Sequence, residues 1–489
     1  MSFVPVLLAI PMLAAVLCLS AGRWAPRISV VTALVTLAIA LPVVAEGFGA
    51  PAQRALGGTF ALDALSALIV LIIAIVGALA TIQSVAYLGN EVSSGHLQAE
   101  RVRWFYVWFN LSMAAMLAVP LLNNLGLMWV AIEATTLTTA LLVGSFRRGR
   151  DLEAAWKYLM LCTVGIAFAL FGVVLTFYAA GRALGPGAAG LEWDSLRASA
   201  ASLDPALMRL AFVLVLVGFG TKAGLAPMHT WLPDAHGQGP TPVSALLSGA
   251  LLPCALYGVL RFHLLAAGAV GVSFSSDLLI GIGSLSMLVA IPFVLVQHDL
   301  KRLLAYSSVE HMGIVALGIG IGSPLALFSA AFHLLNHALA KSTLFFAAGA
   351  IGQRYGTLRL AQLRGAIDLA RIPALALLIG TLAITGVPPF SPFASELGIA
   401  RAGLADRPSA IGGTVIFFIA TVLIFGGMLF HVLQVVLREP PRRVYVGSLG
   451  PSWLLFGAPI AVLALIGLWL PPLLSGPFAA VARVLAVGP

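Results

Sequence analysis

The sequence predicts an all-α polytopic membrane protein of about fourteen transmembrane helices, two of them broken at prolines. Composition is the first reason. Hydrophobic residues make up 60% of the 489-residue chain and charged residues 9%, and the mean hydropathy is +1.04. A soluble domain carries roughly 25% charged residues, so this chain cannot cover itself with a solvated surface, and the soluble domains that its length would suggest are excluded. The second reason is the recurrence of apolar runs, each long enough to cross about 30 Å of hydrocarbon at 1.5 Å per residue.

The runs centre near residues 12, 37, 75, 113, 134, 167, 218, 252, 286, 312, 337, 388, 423 and 463. The first, from Met1 to about Ser20, has no basic residue before it, and its first charge is Arg23 on the far side. That pattern reads as a membrane helix rather than a cleaved leader. Pro227 interrupts the run near 218, and Pro388 with Pro389 interrupts the run near 388. Proline removes a backbone donor and clashes with the carbonyl four residues upstream. The three cysteines, Cys18, Cys162 and Cys254, lie inside apolar runs with no CxxC spacing, so neither a disulfide framework nor a zinc site is expected.

The net charge of +9 is spread between the apolar runs and forms no nucleic-acid patch. It informs topology instead, because cytoplasmic loops carry the excess of Lys and Arg. With the N-terminus outside, the cytoplasmic loops hold Arg23, Arg27, Arg101, Arg103, Arg147, Arg148, Arg150, Lys301, Arg302, Arg354, Arg359, Arg364, Arg371, Arg438, Arg442 and Arg443. The outer loops hold only Arg54, Arg182, Arg197, Arg209, Arg261, Arg401, Arg407 and Arg483. The expectation is a multi-pass protein of a bacterial cytoplasmic (inner) membrane with both termini outside.

The remaining basic residues, Lys157, Lys222 and Lys341, fall in or at the edge of spans. An ionised group at the bilayer centre costs roughly 2.5 kcal/mol or more, and such groups line water-filled routes or pair with one another. A buried lysine can give up its proton, whereas guanidinium stays charged. The candidate proton-path residues are Glu133, Lys157, Lys222, His229, Glu310, His311, His333, His337, Lys341 and Glu396. Glu133 is about ten residues from either end of its span, too deep to snorkel, though a carboxyl tying two helices is the structural alternative. Lys222 precedes Pro227 by five residues, where a broken helix at membrane depth can line a cavity. His333, His337 and Lys341 recur at i, i+4 and i+8 on one helix face. Imidazole titrates near neutrality, which suits a relay; no third metal ligand is evident, so no metal site is expected. Glu396 follows the Pro388–Pro389 break. Glu310 and His311 stand about one turn into their span, near the surface loop holding Lys301 and Arg302. Lys157, near a helix start, is placed as a neighbour of Glu133, and Glu133 with Lys222 as a switchable ion pair.

An internal repeat is also suggested. Glu133 and Lys222 are 89 residues apart and Glu310 and Glu396 are 86 apart, each second member lying near a proline break. Paired interrupted spans mark a two-half transporter, and a five-helix offset would invert one half. The expected organisation is residues 1–100 (helices 1–3), 101–265 (first repeat, helices 4–8), 266–438 (second repeat, helices 9–13) and 439–489 (helix 14 and tail).

The run GTKAGLAPMHTWLPDAHGQGPTPVSALLSG at 220–249 resembles the signature of the antiporter-like subunits of respiratory complex I, Mrp Na⁺/H⁺ antiporters and membrane-bound hydrogenases. HDLKRLLAYSS at 298–308 and FHLLNHALAKSTLFFAAGAI at 332–351 are similar to the same family. The likeness covers roughly residues 60–440. Within it, IEATTLTTALLVG and YSSVEHMG look most like the F-type subunit of hydrogenase-4. The resemblance implies fourteen helices with two inverted five-helix repeats. It matches Glu133 to the glutamate of the fifth helix, Lys222 to the lysine of the broken seventh, His333, His337 and Lys341 to the polar stripe of the eleventh, and Glu396 to the charged residue of the broken twelfth. Some relatives carry a lysine on the eighth helix, four residues before the tyrosine at Tyr257; here that position is Pro253, so the central link is expected to rely on water or on His333 and His337. The long lateral helix of one family branch is not expected, as the chain stops at Pro489.

The resemblance implies translocation of protons, or Na⁺, as one subunit of a redox-driven complex. Its partners would be other membrane subunits of the same family and a peripheral redox arm of the NiFe-hydrogenase kind, within the lipid bilayer. No dinucleotide fingerprint or Fe–S cysteine set occurs, so no cofactor of its own is expected. The alternatives are a secondary cation/proton antiporter or inorganic-carbon uptake subunit, and a structural membrane anchor.

Overall fold

The computed structural model describes residues 3–49, 52–146, 149–185, 188–439 and 453–487. Arg147, Arg148, Arg442 and Arg443, counted above for topology, lie outside the described residues. In chain order the helices are α1 (Val4–Ser20), α2 (Ala25–Gly49), α3 (Ala64–Ser93), α4 (Ala99–Leu121), α5 (Leu125–Val143), α6 (Gly149–Leu184), the short α7 (Trp193–Ala198), α8 (Pro205–Lys222), α9 (Trp231–Gln238) and α10 (Thr241–Leu246). There follow α11 (Leu252–Val270), α12 (Val272–Leu295), α13 (Leu300–Ile321), α14 (Pro324–Tyr355), the single turn α15 (Ala366–Leu369), α16 (Arg371–Ile384), α17 (Ser391–Leu404), α18 (Pro408–Leu437), α19 (Trp453–Leu468) and α20 (Pro472–Leu485). Among the described residues the helices are joined by a hairpin of two three-residue strands, β1 (Gln53–Ala55) and β2 (Phe60–Leu62).

Eleven helical segments of the described residues are long and apolar enough to cross a membrane, and a twelfth is added if α19 and α20, bent by 84°, form one span. Of the fourteen expected centres, residue 12 falls on the 17-residue α1, and residue 388 falls in the gap between the two short helices α16 and α17. Both proline breaks are present. The first separates α8 from α9 around Pro227, and the second separates α16 from α17 around Pro388 and Pro389.

The polar residues at span ends explain where the helices start. Asp63, Asn124, Asp204, Asp299 and Ser323 each accept a hydrogen bond from a first-turn amide of the helix that follows. Such caps satisfy donors that have no intrahelical partner. Between α12 and α13 the backbones touch: a Cβ on Gly283 would lie 2.6 Å from the Gly313 carbonyl, and one on Gly313 would lie 2.7 Å from the Gly283 carbonyl. Small residues allow this approach where lipid tails offer no hydrophobic drive for helix association.

Burial is graded. The spans over 241–270 and 300–321 are buried throughout, whereas only 33% of the α18 window is buried. The α10–α11 span, α13 and α14 therefore form the interior of the bundle, and α18 lies at its rim. Charged contacts gather at the two ends of the bundle. At one end Gly22 meets Arg103, Gln353 bonds Glu91, and Arg302 pairs with Asp234. At the other end Arg54 pairs with Asp194, Arg182 with Asp204, Arg407 with Asp277, and Arg261 with Asp63. Two positions differ from expectation. Arg261, expected in an outer loop, is 3% exposed inside α11, and Lys301, expected in a cytoplasmic loop, is 2% exposed in the first turn of α13. Each is drawn inward by a fixed acceptor, Asp63 for Arg261 and the Gly239 carbonyl for Lys301.

Candidate functional site

Lys222 is the last residue of α8 and is completely buried. Gly224, two residues beyond it, takes a positive φ of 75°, a conformation that costs L-residues about 1–2 kcal/mol. The break leaves carbonyls without helical partners, and the Trp231 indole closes one by donating to the Thr221 carbonyl at 2.7 Å. The Lys222 ammonium donates to the Thr136 hydroxyl at 2.9 Å and to the Tyr158 hydroxyl at 2.5 Å. Thr139 spends its own hydrogen on the Thr135 carbonyl, so the 2.7 Å contact between Thr139 and Tyr158 is a bond donated by tyrosine. A directed chain thus runs from Lys222 through Tyr158 to Thr139.

Glu133 is not ion-paired with Lys222. Its carboxylate accepts from Thr163 at 3.2 Å, with the other oxygen buried and unpartnered among the described residues. The two charges remain within electrostatic reach of one another. Lys157 is not beside Glu133 either. It lies on the outer face of α6, half exposed, paired with Glu153 at 2.6 Å and Asp234 at 3.6 Å. The buried positions of α6 (Ala154, Tyr158, Cys162, Gly165, Ala169, Val173) step by three or four. That stripe, visible in the sequence as small and aromatic residues, turns Tyr158 inward and Lys157 outward. Tyr158 and Thr136 are the partners of Lys222 that reasoning from charged side chains missed.

His229 lies in the break after α8, 6% exposed, edge-on against the stacked rings of Tyr306 and Phe293 at 6.2 and 6.5 Å. His236, on α9, was not singled out from the sequence. It is fully buried, stacked on Phe345 at 5.0 Å, with neither ring nitrogen partnered among the described residues. Phe345 is one helical turn beyond Lys341, and His236 is within electrostatic reach of both Lys301 and Lys341. A cavity of about 480 Å³ opens near Lys301, with Glu91, Asp151, Gly239 and Thr241 in its wall.

Glu310 and His311 are deep rather than near the surface. α13 begins at Leu300, so they stand about three turns in, 3% and 1% exposed. On α14, His333, His337 and Lys341 are all completely buried on the predicted face. His333 meets His311, ring nitrogen to ring nitrogen at 3.0 Å, and Ser395 on α17 at 2.9 Å. The Lys341 ammonium donates to the Leu304 carbonyl at 3.0 Å. Glu396 is 5% exposed and packs over Gly386 in the second break, where a Cβ would lie 2.2 Å from its Oε2. Glu310 is in electrostatic reach of both Lys341 and Glu396. The fold therefore gathers Glu310, His311, His333, His337, Lys341 and Glu396 into one buried group, and keeps Glu133 and Lys222 in another.

Between the two groups the helix carrying Pro253 is distorted. Leu247–Leu251 form a π-helical turn immediately before it, as expected where a proline ring crowds the carbonyl four residues upstream. Gly249 in that turn approaches the Ala338 carbonyl and the Ser342 hydroxyl of α14, and Ser248 bonds Ser308 of α13 at 2.8 Å.

The family described as NADH:quinone oxidoreductase/Mrp antiporter, transmembrane region, matches residues 122–424. A hydrogenase-4 component F homologue of Methylacidiphilum infernorum is 37% identical over 422 residues, 85% of this chain and 86% of its own length. A chain of respiratory complex I from Thermus thermophilus with bound aureothin superposes with a TM-score of 0.76 at 27% identity, over 97% of this chain and 99% of that one. A chain of the membrane-bound sulfane sulfur reductase, an archaeal respiratory membrane complex, superposes with a TM-score of 0.87 at 22% identity, over 99% and 98% of the two chains, a likeness of fold.

Proposed function

The chain belongs to the NADH:quinone oxidoreductase/Mrp antiporter family of multi-pass membrane subunits, and on that premise we propose that it carries protons through the bilayer as one subunit of a redox-driven complex of the hydrogenase-4 kind. The observation that carries this reading is the pair of buried titratable groups, one around Lys222 and one around Lys341, inside an otherwise apolar bundle. Desolvated charges are retained in a membrane where they line an ion route. Protons are favoured over Na⁺ by the chemistry of the second group. Imidazole nitrogens 3.0 Å apart pass a hydrogen between them, whereas a hard cation prefers a cage of oxygens.

In this scheme Lys222 gives its proton to the chain through Tyr158 when Glu133 no longer favours the ammonium, and the histidines of α13 and α14 hand it between Lys341 and Glu396. Lys301 and His236 extend the second group toward the cavity at the cytoplasmic end. The link across the Pro253 turn is made by water, because no side-chain hydrogen bond of the described residues joins Lys222 to His236. Electrons stay in a peripheral redox arm, and other membrane subunits of the family flank the bundle.

We further read the chain as fourteen spans with both termini outside and with helices 4–8 and 9–13 as inverted repeats. In each set of five the second helix bears a glutamate, the half-buried Glu133 or the buried Glu310. The third is long, at 36 or 32 residues, and the fourth is broken. The end-to-end sorting of the arginine contacts supports the orientation.

The test is proton uptake by proteoliposomes or inverted vesicles containing the intact complex, wild type against Lys222→Ala. Redox turnover that acidifies the lumen in wild type and not in an assembled variant supports the reading. Normal pumping by the variant would make Lys222 structural and sink it.

A further inference from the structure

His311, His333 and Glu396 come from three different helices, α13, α14 and α17, and offer donor atoms that all lie within 4.8 Å of one another. The hydrogen count assigns their tautomers. The Ser395 hydroxyl has one hydrogen, which it gives to the Pro392 carbonyl at 2.9 Å, while it accepts from the Asn336 amide at 3.2 Å. With that hydrogen on the Pro392 carbonyl, the His333 Nδ1 contact with Ser395 at 2.9 Å is assigned as an N–H donated by histidine. That leaves a lone pair on His333 Nε2, aimed at His311 Nδ1 3.0 Å away. Asn336 is itself oriented by Ser391, which donates to its Oδ1 at 2.8 Å. The chain Ser391–Asn336–Ser395–His333 therefore fixes the ring and its tautomer, as outer-shell partners do for metal-ligating histidines.

We propose that His311, His333 and Glu396 form a buried Zn²⁺ site: the His311 hydrogen moves from Nδ1 to its unpartnered Nε2, and the ion sits beside the line joining the two facing ring nitrogens. Zn–N bonds of about 2.0–2.1 Å in a tetrahedron set donor atoms about 3.3 Å apart, and the two ring nitrogens already stand close to that spacing. The carboxylate closes on the ion from the second break, where Gly386 leaves it room. Two imidazoles and one carboxylate suit zinc, while Ca²⁺ and Mg²⁺ demand six or more oxygens. The fourth position faces water or His337, whose ring centroid is 5.6 Å from that of His311 and whose nitrogens have no partners among the described residues. In the sequence the i, i+4 histidines lacked a third donor; α13 and α17 supply it. The inference rests on this geometry and not on the translocation reading; an ion held here would occupy the nitrogens through which His311 and His333 hand on a proton, so binding blocks that relay.

The experiment titrates the purified, metal-stripped full chain in detergent with Co²⁺, followed by the visible bands of four-coordinate cobalt, and then with Zn²⁺ in competition. One ion per chain is expected. Bands should vanish in His333→Asn and Glu396→Gln and return, shifted, in Glu396→His, which restores a donor and so separates lost ligation from misfolding. Asn336→Ala should weaken binding about 10- to 100-fold, and His96→Ala, at an exposed histidine, should change nothing. A wild type that takes up no ion, or bands that persist in both ligand variants, overturns the site.

Discussion

The Lys222 ammonium stands 2.5 Å from the Tyr158 hydroxyl, at the end of a broken helix and out of contact with the carboxylate that the charge pattern assigned to it. A hydrogen bond to a charged group contributes about 1.5–3 kcal/mol, and each 1.36 kcal/mol is tenfold in rate. Tyr158→Phe removes both the acceptor for Lys222 and the donor to Thr139. Redox-driven proton uptake by the intact complex is expected to fall at least about tenfold, with assembly retained on native gels. Uptake unchanged from wild type would place Tyr158 outside the path.

Lys157 is the contrasting case. Its ion pairs with Glu153 and Asp234 lie on the outside of α6, where solvent-exposed pairs contribute little. Lys157→Ala should leave proton uptake and the thermal unfolding midpoint where they are. A loss of uptake comparable to that of Lys222→Ala would restore Lys157 to the route.

Gly386 holds a φ of +71° inside the second break, under Glu396. Gly386→Ala meets two penalties. The left-handed conformation costs about 1–2 kcal/mol, and the new methyl would stand 2.2 Å from Glu396 Oε2. The expected result is a lower unfolding midpoint in detergent together with reduced proton uptake, because the carboxylate must move. If the variant melts with wild type, the break tolerates a side chain and this account of it fails.

Asp63 and Arg261 lock one end of the bundle, bidentate at 2.6 and 2.9 Å, with the guanidinium over the Tyr257 and Trp193 rings. Removing one partner of a buried pair costs about 3–5 kcal/mol. Asp63→Asn should therefore destabilise strongly, and Arg261→Met in the same chain should recover much of the loss. Burial by itself would raise the Asp63 carboxyl, but Arg261 outweighs it and holds the group below its ordinary 3.8. A depressed carboxyl stabilises the fold above its unfolded value, and that contribution is lost as pH falls through the folded one. The wild-type midpoint should drop as acid passes below that ordinary value, and the Asp63→Asn, Arg261→Met chain should lose that component. An identical acid slope in both chains would refute the linkage.

The membrane class, the sites of both breaks, the common face of His333, His337 and Lys341, and the sorting of arginines to two ends were all legible in the amino-acid order. Hydropathy, the missing donor of proline, the 3.6-residue helical period and the cost of moving cations across lipid are local or additive properties, so a linear chain displays them. The partner of each buried charge was decided only by the tertiary structure. Lys222 met a tyrosine rather than Glu133, Lys301 and Arg261 left their expected loops for buried carbonyl and carboxylate acceptors, and His311 and Glu396 closed on His333 from helices 22 and 63 residues away in sequence. Which side chains meet depends on how helices rotate and approach. That is set by close contacts such as Gly283 on Gly313, which act between residues with no short-range relation in the chain.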